Sequence, residues 1–173
     1  MDLLRALQPE FLFDLDVAAS ADNAVVPYYL DADLDGLARP WFGVGQARVV
    51  PVHREGYGAD QDCCTPLCSQ TVWCNPGFSG MERWVQKAIA EVGREPRSTA
   101  VLVGLVAPST AWWRAAVAAG AEIRLLSPRV QFVAPPGIKQ TSNPRESALF
   151  IFRSPPIGSL RPAHIWTWRW KED

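Results

Sequence analysis

Apolar residues along this chain follow two spacings, and each spacing predicts a type of element. Met81, Trp84, Val85, Ala88, Ile89 and Val92 recur at helical intervals, with Glu82, Arg83, Gln86 and Lys87 on the opposite side. That is an amphipathic helix, begun near Gly80 and ended at Gly93. Residues 99–106 (TAVLVGLV) form an unbroken apolar run bounded by Pro108, as expected of a central parallel strand covered on both faces. Ser109 or Thr110 can cap the next helix, 111–119, which Gly120 closes. Residues 122–126 (EIRLL) read as a strand, 130–133 (VQFV) and 148–152 (ALFIF) as a hairpin around a Pro/Gly/Asn loop, and 165–170 as the closing strand.

The first part of the chain is less regular. Residues 2–9 fit a short helix with Leu3, Leu4 and Leu7 on one side and Pro9 at its end. Residues 11–18 (FLFDLDVA) read as a strand carrying Asp14 and Asp16 near its carboxyl end, and 25–30 (VVPYYL) as a run interrupted by Pro27. Residues 71–79 (TVWCNPGFS) read as a short buried strand, a tight turn and the entry to the amphipathic helix. Strands alternating with helices predict a doubly wound α/β sheet, mostly parallel, with an antiparallel end built from the later strands. The expectation is a single domain over 1–173, with an irregular insertion at 43–70.

Composition narrows the class. Hydrophobic content of 48% and charged content of 20% suit a globular protein, and a net charge of -1 supplies no global basic field, so any DNA contact must be local. No apolar run is long enough to span a bilayer and no signal peptide is visible, which leaves a cytoplasmic protein as the expectation. Trp166, Trp168 and Trp170 share one face of a strand, a sheet-covering face before a base-stacking platform. Asp31, Asp33 and Asp35 alternate like a calcium loop but lack its later glutamate. His53, Cys63, Cys64 and Cys68 match no common zinc spacing, so no metal is assigned. There is no Gly-x-Ser-x-Gly elbow for a hydrolase.

The chemistry-bearing stretch is Asn75-Pro76-Gly77-Phe78, an amide, a proline and an aromatic at the carboxyl end of a strand, where open α/β sheets bind ligands. The tetrapeptide resembles the Asn-Pro-Pro-Tyr/Phe signature of amino-group methyltransferases. That resemblance implies action on an exocyclic base amine, a poor nucleophile because its lone pair is delocalised into the ring. The Asn75 side-chain oxygen and the Pro76 carbonyl are suited to hold its two hydrogens, and Phe78 to stack on a base flipped from the duplex. Such catalysis works by positioning and electrostatics. The plainer alternative is a turn with Phe78 in the core. For the acids, the plainer reading has Asp14 in solvent and Asp16 capping the turn at 18–20; the functional one has Asp16 beside a cofactor.

Beyond this tetrapeptide, the chain resembles the phage-type, Dam-like DNA adenine-N6 methyltransferases. The likeness runs through residues 13–20, 22–24, 29–30 and 35–37, Trp41, residues 72–76 and 81–90, Pro108, Thr110 and Trp112, and residues 122–124, 129–132 and 147–149. It implies a Rossmann-like fold binding S-adenosylmethionine, double-stranded DNA as partner, and a bacterial host or phage-infected cell as location. On that resemblance Asp16, Ala18 and Ala19 form the cofactor loop, and Asp35 meets the cofactor's ribose or methionine end. Asn75, Pro76 and Phe78 take the target amine and base, and Arg129 contacts DNA. The family's second proline is Gly77 here. Its upstream threonine-proline segment is not in this sequence, and Thr65-Pro66 lies in the insertion. These departures keep two alternatives open: a methyltransferase-fold binding protein with weakened or lost activity, and a methyltransferase acting on RNA or protein.

Overall fold

The structure is a computed structural model that describes residues 3–43, 47–49, 70–132, 145–154 and 162–171. His53, Thr65, Pro66 and the cysteines at 63, 64 and 68 lie outside the described residues. The elements in chain order are α1 (Leu3–Leu7), β1 (Leu15–Asp16), β2 (Tyr28–Tyr29), β3 (Arg48–Val49), β4 (Thr71–Cys74), α2 (Met81–Arg94), β5 (Thr99–Leu105), α3 (Ala111–Ala118), β6 (Glu122–Ser127), β7 (Ser147–Arg153) and β8 (His164–Arg169). A 3-10 turn, Phe78–Gly80, leads into α2. Thr110 caps α3 by accepting from the Trp113 N–H at 3.4 Å, and Gly120 follows α3 with φ 74.

Eight strands form one sheet in the order β3-β2-β1-β4-β5-β7-β6-β8. Six point the same way; β3 and β7 run against them. The mixed α/β class and the mostly parallel sheet are as expected, but the antiparallel element is not a terminal hairpin. β7 lies inside the sheet between β5 and β6, because residues 147–152 are all buried and need a neighbour on each side. Residues 130–132 are not a strand: Pro128, which has no N–H to give a ladder, follows β6 directly. The insertion at 43–70 is not wholly irregular either, since Arg48 and Val49 pair antiparallel with Tyr29 and Tyr28.

Strand alternation divides the core. Leu15, Val17, Val72, Cys74, Leu102 and Phe150 face α2 and α3. Trp73, Val101, Val103, Leu149 and Ile151 face the other way, toward Leu3 and Leu7 of α1 and Phe11. On that second face Arg124 is held by Glu10 and Glu122, with the Trp166 and Trp168 rings 5.2 and 5.3 Å from its guanidinium carbon. The tryptophan stripe is therefore half-buried sheet cover. Burial alone would raise the Glu122 carboxyl, but hydrogen bonds and charge from Arg124 and Arg153 hold it down at about 2.

The segment after β2 is tied to α2. Trp41 is fully buried; its backbone N–H donates to the buried Glu91 carboxylate at 2.9 Å and its indole N–H to the Gly36 carbonyl at 2.6 Å. A Cβ on Gly36 would come within 2.0 Å of the Val17 carbonyl oxygen, so only glycine allows this close approach to the end of β1.

Candidate active site

The chain leaves β1 toward β2 on one side, and β4 lies on the other. The gap between the carboxyl ends of β1 and β4 is thus a topological switch point, where open α/β sheets form their binding crevice. Register decides which side chains reach it. Asp16 is paired with Trp73, and Trp73 with Val101. Two residues further along each chain come Ala18, Asn75 and Val103, and a period of two keeps them on the same face. Asp16, Ala18, Trp73, Asn75 and Val103 do line one cavity of about 300 Å³, closed from the side by Leu3, Leu4 and Phe132. That is the lower end of the range for small-ligand sites.

Asp16 is 3% exposed. The Ala18 N–H donates to its carboxylate at 3.3 Å, so it caps the turn, as the plainer reading expected, and it also borders the cavity. Burial raises its pKa from 3.8 to about 6, against the smaller lowering effect of backbone bonds from Ala18 and Val25. Among the described residues no lysine or arginine pairs with it. Cys74 beside it is a buried free thiol, pushed well up by burial and then by the Asp16 charge, which makes it inert rather than nucleophilic. Asp14 is exposed, as the plainer reading expected.

Asn75 is exposed at the cavity, and its side-chain amide bonds to no described residue. Pro76 is buried, which fixes the turn from below. Phe78 is half-buried and packed on the α2 and α3 side, and does not itself line the cavity. Its ring stands edge-on to Phe132, with centroids 5.5 Å apart and planes at 73°. Phe132 thus lines the cavity, as Trp73 does, and is braced by Phe78. Sequence reasoning placed Phe132 in a strand and missed this role; Asn23, Val25 and Trp73 were missed as well. The period-two register of Trp73 with Asn75 was the signal available for Trp73.

The remaining expected residues lie around this centre. Ala19 gives its N–H to the Leu30 carbonyl at 3.1 Å, tying the turn after β1 to β2. Asp35 is exposed, has φ 49 and accepts from the Leu37 N–H at 3.0 Å, outside the cavity lining. Asp31, two residues after β2, is paired with Arg48 on β3; burial works against its ionisation, but the Leu34 N–H and Arg48 lower its pKa overall. Arg129 is 2.7 Å from Glu146 and lines a second cavity of about 480 Å³, which shares Gln131 with the first.

A family model described as DNA N-6-adenine-methyltransferase (Dam) matches residues 52–165, well over half of the chain. The chain belongs to the Dam family. The matched stretch carries the Asn75 turn, α2, Arg129 and Phe132; Asp16, Ala18, Ala19 and Asp35 precede it. No curated protein matches the chain. Among the described residues no helix is long and apolar enough to cross a membrane.

Proposed function

We propose that this member of the Dam family transfers a methyl group from S-adenosylmethionine to the N6 amine of adenine in double-stranded DNA, as an enzyme of phage or prophage origin. The observation that carries the reading is the meeting of Asp16 and Ala18 with Asn75 on one cavity at the switch point of the sheet. The residues present suit the cofactor: a buried carboxylate without a basic partner among the described residues is a site for a cationic ligand. When bound, S-adenosylmethionine supplies an electrophilic methyl group on a sulfonium centre.

This chain's residues do the rest. Asp16, with Ala18 and Ala19, would hold the cationic cofactor, and Asp35, outside the cavity lining, is assigned to its ribose or methionine end. The Asn75 oxygen and the Pro76 carbonyl accept the two amine hydrogens, which draws the nitrogen lone pair out of conjugation. Phe132, braced by Phe78, stacks on the extruded base. Arg129 supplies a local positive contact for the strand, in a chain whose net charge of -1 gives no general attraction to DNA. Gly77 has φ -59 and ψ 133, a φ within proline's range, so the departure from the family's second proline favours an active enzyme over an inactive relative.

The test is transfer of labelled methyl to unmethylated duplex DNA, with Asn75→Ala alongside. Adenine-N6 product from the wild type, lost in the variant, is the expected result. Cofactor binding with no transfer to DNA of mixed sequence would turn the reading toward the inactive or non-DNA alternatives.

A further inference from the structure

Ala18 and Asn75 both stand beyond the ladder that joins β1 to β4. The pairing runs from Leu15 with Val72 to Asp16 with Trp73, and the Val17 N–H then donates to the Trp73 carbonyl at 2.9 Å. Past that bond the two turns part. One leads toward β2, the other through the Phe78–Gly80 turn into α2. Methyl transfer needs donor and acceptor in line at a fixed separation, so the spacing of these two turns bears directly on rate.

Trp84, in the first turn of α2, lies between them and does not line the cavity. A Cβ on Gly36 would come within 3.3 Å of its Cη2, and a Cβ on Gly80 within 3.7 Å of its Cδ1 and Nε1. The six-membered end of the indole thus reaches Gly36, and the pyrrole end reaches Gly80. Gly36 backs onto the Val17 carbonyl, one residue before Ala18, whose N–H donates to Asp16. Gly80 gives its N–H to the Gly77 carbonyl at 3.3 Å, closing the turn that Asn75 and Pro76 open. One flat, rigid side chain therefore spans from the back of the Asp16 turn to the back of the Asn75 turn.

The indole is itself held in place. Trp41 stacks on it, with centroids 6.3 Å apart and planes at 25°. Trp41 is fixed in turn, since its indole N–H donates to the Gly36 carbonyl and its backbone N–H to Glu91. Lys87 and Arg94 meet that buried carboxylate at 2.8 and 2.6 Å, so the clamp is anchored on α2. Resting on the methyltransferase reading, we infer that Trp84 is a positioning residue: its indole sets the separation between the turn that holds the methyl donor and the turn that holds the target amine. A tryptophan that only filled the core would affect stability alone.

The experiment measures the single-turnover rate of methyl transfer to unmethylated duplex DNA at saturating S-adenosylmethionine, with cofactor and duplex affinities measured separately. Trp84→Leu and Trp84→Phe are compared with Trp113→Phe, a control in the α3 core that is 6% exposed and packs on Phe150. Thermal unfolding sets a temperature at which the compared variants are folded. Trp84→Leu is expected to slow transfer roughly 100-fold, the cost of a misplacement of about 1 Å, while both affinities stay unchanged. Trp84→Phe, with a ring too short to meet both glycines, falls between Trp84→Leu and wild type, and decides alone where Trp84→Leu does not fold. Trp113→Phe keeps the wild-type rate although it loses stability. Trp84 variants that lose stability but keep the wild-type rate overturn the inference, as do variants whose entire loss is in cofactor or duplex affinity. Transfer by Trp113→Phe as slow as by Trp84→Phe overturns it too, yet leaves the methyltransferase reading standing. No wild-type transfer at all overturns both.

Discussion

On one face of the sheet Leu15, Val17, Val72, Leu102 and Phe150 lie beneath two amphipathic helices, and every one of these is buried and apolar. Among the described residues, Trp73, Val101, Val103 and Leu149 on the opposite face are covered by a five-residue helix and by side chains from loops and from β8. The helical cover is continuous. The other is pieced together, and it is there that a buried acid, Asp16, and the cavity around Asn75 occur. The thinner cover leaves a crevice at the switch point, and it accepts an acid that costs stability until a cation meets it.

The contrast is broken most severely by shaving the same residue type from each face. Phe150 is fully buried and holds the Trp112 and Trp113 rings edge-on, at 5.4 and 5.1 Å. Phe150→Ala is expected to cost about 3–5 kcal/mol, the range for emptying an aromatic site in a packed core. Phe132→Ala, at a half-exposed cavity wall, should cost about 1 kcal/mol by lost burial, and show its main effect on methylation. Urea unfolding of both variants checks this. Equal losses would mean that the second face is as tightly packed as the first.

The first face was almost wholly legible in the sequence, and the second was not. The spacing of Met81, Val85, Ala88 and Val92 gave α2 to within a residue of its observed end, and the apolar run gave β5. Asn75 was legible because an amide and a proline after a buried strand have a physical meaning. Phe132 was not, since a four-residue stretch such as VQFV carries no mark of where it turns. The place of β7 inside the sheet was hidden as well: its pairing to β5 and β6 joins residues far apart in sequence, and no local pattern records it. Nor was it legible that Asp35 caps its own turn while Asp31 takes the ion pair with Arg48. Alternating acids after a strand look alike until the backbone fixes which one faces its partner.

The second way to sharpen the contrast is Asp16→Asn. The folded protein holds the Asp16 proton up to about pH 6, against 3.8 when the carboxyl is not buried. Its contribution to stability is therefore fully present below about pH 4 and is lost as pH rises through 6. Asparagine does not ionise and still offers an oxygen to the Ala18 N–H. The variant should be more stable than wild type by up to about 3 kcal/mol at pH 8, with the difference fading toward pH 4, and should bind S-adenosylmethionine more weakly. Denaturation midpoints at the two pH values, beside cofactor titrations, measure both effects. A variant no more stable at pH 8 than at pH 4, relative to wild type, would show that the carboxylate is already compensated.

The smallest expected effect falls at the turn that joins the two faces. Gly77 stands between Asn75 at the cavity and Phe78 against the α2 side. Its φ of -59 is the angle that proline fixes, and a Cβ there would meet nothing within 4 Å. Gly77→Pro should then leave the folded turn as it is and remove freedom only from the unfolded chain, a gain of about 0.4–1 kcal/mol. Because the position of Asn75 is unchanged, methylation should be retained. A stability gain with undiminished transfer would mean that glycine here is a tolerated substitution in a rigid turn. A stability gain with slower transfer would mean instead that the turn moves during the reaction. The cavity face would then differ from the helical face in motion as well as in packing.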